Sequence, residues 1–116
     1  MRYLLLICAD ERSYDNMTPE EATARTAAWD QYAGDLSATG KLRAGERLRP
    51  VASATTVRVK NGERLLSDGP FAETKEQLGG YFVIEAENLD EAIEWASRMP
   101  NVAHGGSTEV RPIWDM

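Results

Sequence analysis

The sequence predicts an α+β fold in which two helices cover one face of an antiparallel sheet and a β-hairpin is inserted between the two helices. Two runs, residues 3–9 and 80–86, are apolar at both alternating sets of positions, which is typical of strands in the middle of a sheet. Capped helix starts lie at Thr18 and Asn88. An Asn-Gly turn at residues 61–62 separates two further strand-like stretches, which predicts the hairpin.

The bulk composition fits one domain over residues 1–116 and bears on function. A chain of 116 residues is long enough for one modest core and too short for two. Hydrophobic residues make up 42% and charged residues 28%, which is ordinary for a globular domain. A net charge of −6 argues against direct nucleic-acid binding. The short basic cluster at Lys41, Arg43, Arg47 and Arg49 is expected to be solvated, with an anion contact as the alternative.

The single cysteine and the first apolar run bear on cellular location. Cys8 has no second cysteine to pair with in the chain, so a reducing compartment is expected. Residues 3–9 are too few to span a membrane, and charged residues follow them without a small-residue cleavage site. We therefore expect a cytoplasmic protein with no signal peptide and no membrane partner.

The first helix should run from Thr18, its cap, to about Ser37. Pro19 suits the first helical position, and Glu21 can complete a capping box with Thr18. Thr39-Gly40 supplies the end of the helix. The expected buried stripe consists of Ala22, Ala28 or Trp29, Tyr32, Ala33 and Leu36.

The middle of the chain should form the hairpin and its approach. Residues 41–51 predict an irregular or bulged strand that ends at Pro50. Residues 55–60 and 63–67 then flank the Asn-Gly turn. A two-residue turn there sets Lys60 opposite Glu63 and Val57 opposite Leu66, which is favourable for both pairs.

The last part of the chain repeats the strand and helix pattern. Asn88 is the expected cap of a helix that Pro100 should end, followed by a loop over residues 101–106. Residues 107–113 predict a final strand, and Pro112 places it at a sheet edge. The inward stripe of the second helix is expected to be Leu89, Ala92, Ile93, Ala96 and Met99.

This order of elements is typical of a ferredoxin-like α+β sandwich with an inserted hairpin. Both helices would pack on one face of the sheet, leaving half of the apolar side chains of residues 3–8 and 81–86 on the other. An uncovered face of that kind is a liability in a monomer. We therefore predict a homodimer in which two copies pack through this open face.

Residues 68–80, here called the motif segment, carry a resemblance to a known family. Asp68-Gly69-Pro70-Phe71 and the residues that follow, up to Tyr81, resemble the signature of the DGPF-domain proteins of the YCII-related superfamily. The start of the chain, the helix after Asn88 and the ending from His104 to Pro112 are also similar. The resemblance covers essentially the whole chain and implies a dimeric α/β-barrel built from ferredoxin-like halves.

The resemblance leaves function open. The family has no single established activity. The wider superfamily includes proteins suspected of enzymatic work through a His–Asp pair in a cleft, and it resembles muconolactone-isomerase-like barrels. Close DGPF relatives are often associated with extracytoplasmic-function sigma factors in bacteria.

Asp68 and His104 are the candidate catalytic residues. Asp68 is either a turn former, with Gly69 taking unusual dihedrals, or a general acid or base. His104 is the only histidine and precedes Gly105-Gly106, whose amides can hold an anion or simply form a turn. Pairing of His104 with Asp68 is a hypothesis that the suspected His–Asp pair of the superfamily suggests.

Four further residues are candidate ligand contacts: Phe71, Glu73, Lys75 and Gly105. A solvated loop or a short helical turn is the alternative for Glu73 and Lys75. No ligand-spaced cluster predicts a metal site, and no glycine-rich phosphate loop predicts a nucleotide cofactor. We therefore expect neither metal nor cofactor.

Two functions of different classes remain. The first is a small-molecule enzyme or binding protein in which Asp68 and His104 transfer protons in a cleft near the dimer interface. Its substrate would be compact and either carbonyl-bearing or cyclic. The second is a regulatory interaction module in which the dimer serves a transcription partner such as a sigma factor.

Overall fold

A computed structural model describes residues 1–115 of the chain. Single turns of 3-10 helix, at Glu11–Tyr14 and Val51–Ser53, lie between the main elements. Six strands and three helices follow one another in these residues: β1 Arg2–Ala9, α1 Pro19–Ala38, β2 Leu42–Arg47, β3 Thr55–Lys60, β4 Glu63–Asp68, β5 Gln77–Glu85, α2 Leu89–Ser97, α3 Pro100–Ala103 and β6 Ser107–Pro112.

Four strands form an antiparallel sheet in the order β2-β5-β1-β6. β1 is central, as its two apolar faces predict, and β6 lies at an edge, as predicted from Pro112. Tyr3 pairs with Ile84, and Leu5 lies between Phe82 and Val110. These side chains face the helices. The buried core also includes residues of α1, of α2 and of the segments that flank the strands and helices: Tyr3, Leu5, Tyr32, Leu36, Ile84, Ala86, Ala92, Trp95, Ala96 and Met99.

Helix α1 begins as predicted, but only its second half is buried. The Thr18 hydroxyl accepts a hydrogen bond from the Glu21 N–H at 3.1 Å, and Gly40 takes a φ of +74° just after the helix. Tyr32 and Leu36 are buried, with Trp29 and Ala33 partly so. The predicted burial of Ala22 is wrong, because the first turn of α1 is exposed. Of the alternatives Ala28 and Trp29, Trp29 packs against the core.

Helix α2 has the predicted cap but a rotated inward face. Asn88 Oδ1 accepts from the Glu91 N–H at 2.9 Å. The predicted burial of Leu89 and Ile93 is wrong, since these side chains are 47% and 45% exposed. Trp95 takes the inward position instead, because its ring packs edge-on against Tyr32 with centroids 6.0 Å apart.

Two boundaries also differ from the prediction. Helix α2 ends at Ser97, and Pro100 begins α3 instead of terminating α2, since proline suits the first turn of a helix. The predicted loop therefore starts only at His104. β5 begins at Gln77, three residues before the apolar run. The predicted bulge in β2 is confirmed by a register shift between Leu42 and Ala44, although this strand ends at Arg47.

The predicted hairpin is confirmed in both turn and register. Asn61 and Gly62 have φ values of +53° and +78°, which a turn of this kind requires. Lys60 pairs with Glu63 and Val57 with Leu66. Strands β3 and β4 form a separate two-stranded sheet, here called the hairpin arm (residues 55–68).

The second face of the four-stranded sheet lacks a cover within residues 1–115. Leu4 and Leu6 of β1 and Tyr81 and Val83 of β5 project there, and they are not among the side chains that pack against the core. These four residues define the open sheet face. None of the helices in the described residues is long and apolar enough to cross a membrane.

The core predicts a large difference between two leucine substitutions. Leu36 is fully buried, so Leu36→Ala should lower the free energy of unfolding by roughly 2–5 kcal/mol through lost burial and a residual cavity. Leu89→Ala is the matched control, because Leu89 is half exposed at the start of α2 and its loss should cost less than about 1 kcal/mol. Urea denaturation followed by circular dichroism measures both. Equal losses would contradict this description of the core.

Candidate functional site

The Asp68-Gly69 step is a turn at the base of the hairpin arm. Asp68 ends β4 opposite Thr55, and its side chain is exposed. Gly69 has a φ of +93°, and its N–H donates to the Ala54 carbonyl at 2.7 Å. Its carbonyl accepts from the Thr56 hydroxyl at 2.8 Å. These contacts give the first two residues of the motif segment a structural role.

Polar side chains tie the rest of the motif segment to one end of the sheet. Gln77 Nε2 donates to the Thr74 carbonyl at 2.5 Å, and Gln77 Oε1 accepts from the Glu11 N–H at 2.8 Å. The Ser107 hydroxyl donates to Glu76 Oε1 at 2.7 Å. Thr74, Glu76 and Gln77 therefore hold this loop in place, a role that sequence reasoning did not assign to them.

The predicted ligand residues of the motif segment face solvent. Phe71 is 81% exposed, and its carbonyl accepts from Arg58 at 3.3 Å. Glu73 and Lys75 are also exposed, and neither they nor Asp68 take part in an ion pair within residues 1–115. A ligand-binding role for these side chains stays a prediction.

His104 follows α3 in a loop that is anchored by Asn101. The backbone carbonyl of this buried asparagine accepts from His104 N–H at 3.2 Å and from Gly106 N–H at 2.8 Å. Asn101 Nδ2 donates to the Ser107 carbonyl at 2.8 Å and to the Cys8 carbonyl at 3.3 Å. These bonds fix the loop to the end of β1 and leave the His104 side chain exposed.

A glycine is needed at the anchor. A Cβ on Gly106 would lie 2.5 Å from the Cys8 carbonyl oxygen and 2.9 Å from that of Asn101. Gly105 has a φ of +89° and open space around it. The predicted anion-holding role of the Gly105 amide stays untested, and its N–H donates to the Val102 carbonyl at 3.4 Å.

His104 borders a depression between α1 and α3 with a volume of about 320 Å³. The helix α1 contributes Gln31, Tyr32 and Asp35 to it, and Arg98 follows α2. Small apolar side chains complete the lining: Ala28, Pro100 and Ala103. The depression therefore brings one histidine together with a cation, a carboxylate and an amide, which is the kind of mixture that orients a small ligand.

The polar groups of the depression are connected to one another. Gln31 Nε2 donates to Asp35 Oδ1 at 2.8 Å, and Asp35 Oδ2 lies 3.6 Å from Arg98 Nη2. The Arg98 guanidinium lies over the Trp95 ring, 4.4 Å from its centroid. Arg98 is thus held by stacking and by one long ion pair, and it keeps donors for an anionic ligand.

Tyr32 is unsuited to proton transfer in this depression. Its buried hydroxyl donates to the Trp95 carbonyl at 2.8 Å. Burial raises the pKa of the Tyr32 hydroxyl well above its usual range, although the nearby Arg98 charge opposes the shift. Tyr32 therefore stays protonated.

The structure does not join Asp68 with His104 in one chain. Asp68 lies at the base of the hairpin arm, whereas His104 borders the helix depression, and no hydrogen bond or ion pair links them in the part described. Sequence reasoning missed Gln31, Asp35 and Arg98. The four-residue spacing of Gln31 and Asp35 placed them on one helix side, but nothing in the sequence indicated that Arg98 and His104 meet that side.

A YCII-related domain matches residues 1–116 of the chain. The chain belongs to the YCII-related family. The family expected from the motif segment is therefore confirmed. An uncharacterized protein of Rhizobium meliloti (strain 1021) is 43% identical to this YCII-related protein, over 76% of this chain and 82% of the relative.

A solved structure shares the fold of this YCII-related protein. It is 5-chloro-2-hydroxyhydroquinone dehydrochlorinase (TftG) from Burkholderia phenoliruptrix AC1100, in complex with 2,5-dihydroxybenzoquinone. The TM-score is 0.57 with 20% sequence identity, and the match covers 99% of this chain and 94% of the dehydrochlorinase. The likeness supports the α+β architecture of a four-stranded antiparallel sheet with helices and a separate hairpin.

Two glycine-to-alanine substitutions should have opposite effects on stability. Gly106→Ala should lower the free energy of unfolding by roughly 1–3 kcal/mol, because the new methyl group meets two fixed carbonyl oxygens. Gly34→Ala lies inside α1 with open space around it and should raise stability by about 0.5–1 kcal/mol. Thermal and urea unfolding compare the two. A neutral Gly106→Ala would mean that the His104 loop is not held as described.

Proposed function

We propose that this YCII-related protein binds a compact anionic small molecule in the depression beside His104, and that His104 exchanges a proton with it. The observation that carries the proposal is the convergence of His104, Arg98, Asp35 and Gln31 on one depression of about 320 Å³. Arg98 and Asp35 are about half exposed, so a compact ligand would lie in a shallow depression at the surface.

Each side chain has a proposed role that follows from its chemistry. Arg98 binds an oxyanion of the ligand with the donors that stacking on Trp95 leaves free. Asp35 orients Arg98, and Gln31 is held by Asp35 with its amide oxygen left to accept. His104 provides the proton-transfer group at the rim. None of these steps needs a redox cofactor.

The probe for this site is 2,5-dihydroxybenzoquinone, the molecule bound by the dehydrochlorinase that shares the fold. Its acidic ring hydroxyls give it the anionic oxygens that Arg98 would hold. Because His104 is the only histidine, its ring protons give assignable signals in a proton NMR spectrum. Addition of the probe should shift these signals, whereas neutral 1,4-dihydroxybenzene should not.

Substitutions at the depression separate binding from protonation. Arg98→Gln should weaken probe binding by about tenfold or more, since a charged hydrogen bond is lost. His104→Gln should retain part of the affinity, measured by titration calorimetry, and should remove the proton uptake or release that accompanies binding. Undisturbed histidine signals at millimolar probe, with the chain folded, would contradict the proposal for this class of ligand.

Asp68→Asn tests the predicted Asp68–His104 pair in the same assay. Unchanged affinity and proton exchange would mean that His104 acts without Asp68. A loss equal to that of His104→Gln would instead support the pair, and it would require Asp68 to reach the depression from another copy of the chain.

We also propose that two copies of the chain pack through the open sheet face. The chain exposes 8304 Å² of surface, whereas a compact monomer of this mass exposes about 6300 Å². The excess of about 2000 Å² per copy is of the size that stable homodimers bury. The apolar side chains Leu4, Leu6, Tyr81 and Val83 lie on the sheet face opposite the core.

A charge placed in the open sheet face should separate the two copies. Leu6→Arg should shift the sedimentation coefficient from that of two associated copies to that of a single copy, because it would place a cation among apolar side chains at the contact. Glu94→Arg is the matched control, since Glu94 is exposed on α2, away from this face. Circular dichroism verifies folding in both. A folded Leu6→Arg variant that still sediments as two copies would contradict assembly through this face.

A second candidate function is the regulatory interaction module. One observation favours it, namely the apolar side chains that the hairpin arm leaves exposed. Such a module needs an apolar surface that stays free after the two copies have packed. A transcription partner such as a sigma factor would then dock on the arm, and arm residues that are accessible in the purified protein would support this function.

A further inference from the structure

The hairpin arm has one apolar face that the rest of the described chain leaves uncovered. Cross-strand pairing of Val57 with Leu66 and of Val59 with Arg64 places these side chains on the same face. Val57, Val59 and Leu66, here called the apolar arm face, are 58%, 70% and 59% exposed. The opposite face is mostly polar, with Thr56, Arg58, Lys60, Glu63 and Ser67 around Leu65.

The arm has little within its own chain to stabilise it. β3 and β4 have extensive contacts only with each other among residues 1–115. The arm is attached at its base through the Gly69 N–H bond to Ala54 and the Thr56 hydroxyl bond to Gly69. An isolated two-stranded hairpin is marginally stable in water. A well-defined arm with an apolar face therefore needs a surface to pack against.

The shape of the chain indicates how far the arm stands out. The radius of gyration is 16.2 Å, whereas a compact domain of this length has about 13 Å. Three aliphatic side chains are too few to hold two molecules together, because stable interfaces bury well over about 1000 Å² in total. The apolar arm face must therefore belong to a larger contact. A dimer with a twofold axis would contain two copies of the arm contact.

Charge decides between two arrangements of such a contact. The arm carries three cations, Arg58, Lys60 and Arg64, and two carboxylates, Glu63 and Asp68, so its net charge is +1. The whole chain has a net charge of −6, so the remainder is strongly acidic. Arm against arm would gain nothing from charge, since both are weakly positive, whereas the arm of one copy against the acidic body of another is attractive.

We propose that the apolar arm face of each copy packs against the body of a second copy, so that two copies exchange their arms. The body here means residues 1–54 and 69–115. The inference rests on the proposed two-copy assembly and not on the small-molecule function. It assigns the exposed arm surface to the chain itself and not to a different protein.

Thiol labelling compares two neighbouring positions on opposite faces of the arm. In a Cys8→Ala background, Val59→Cys places a single thiol on the apolar arm face, and Lys60→Cys places one on the polar face. When sedimentation shows two copies, the thiol at position 59 should react with a maleimide about tenfold or more slowly than that at position 60. Val59→Cys changes the side-chain volume little and Lys60 lies on the polar face, so circular dichroism and sedimentation should match the parent.

Two outcomes would overturn the proposal. Equal labelling rates at positions 59 and 60 would mean that the apolar arm face stays open to solvent, as the interaction module requires. Slow labelling at position 59 in a preparation that sediments as one copy would mean that the arm folds onto its own chain.

The Leu6→Arg substitution distinguishes failure of the arm contact from failure of the open-face contact. If Leu6→Arg yields single copies, position 59 should become as reactive as position 60, and persistent protection would overturn arm exchange. If Leu6→Arg still gives two copies and position 59 stays protected, arm exchange is supported and the open-face contact is wrong. Two copies with a reactive position 59 would overturn arm exchange.

Discussion

The register of β1 is the constraint on which the rest of the structure depends. β1 pairs with β5 on one side and with β6 on the other, so its side chains determine both faces of the sheet. In most strands the alternation of apolar and polar residues sets the register. β1 is apolar on both faces, so a slip of one residue would still bury apolar side chains. The register must therefore be set by other contacts.

Polar contacts at the two ends of β1 set its register. At the start, the N-terminal ammonium pairs with the Glu85 carboxylate at 2.7 Å and donates to the Ala86 carbonyl at 3.0 Å. At the end, the Cys8 carbonyl accepts a hydrogen bond from Asn101. The His104 loop passes so close to this carbonyl that only a glycine, Gly106, fits there. A slip by one residue would break these contacts at both ends, and at the second end it would take the buried Asn101 side chain away from its partners.

Much of the fold could be predicted because its signals are local. The caps at Thr18 and Asn88, the Asn-Gly turn and its register depend on residues within a few positions of one another, and all appear as expected. The inward face of α2 could not be settled in this way. Ile93 and Trp95 both fit a helical stripe, and only packing against Tyr32 of another helix selects Trp95. Likewise, the exposure of Ala22 depends on where the sheet lies.

The residues of the candidate site also differ in whether local sequence could predict them. His104 stood out in the sequence as the lone histidine, next to two glycines in a predicted loop. Arg98 and Asp35 did not, because a site assembled from the ends of separate helices has no spacing in the sequence. Asp68 stood out for its place in the motif segment, and the structure explains that segment largely through Thr74, Glu76 and Gln77, which tie it to the sheet.

The two surfaces proposed for function lie on opposite sides of the sheet, and this separates their roles. The His104 depression is built on the helix side, next to Tyr32, whereas Leu6 projects from the open sheet face. A second copy packed on the open face, as proposed, would leave the depression uncovered. Asn101 is the link between them, because it fixes the His104 loop to the strand that carries the open face.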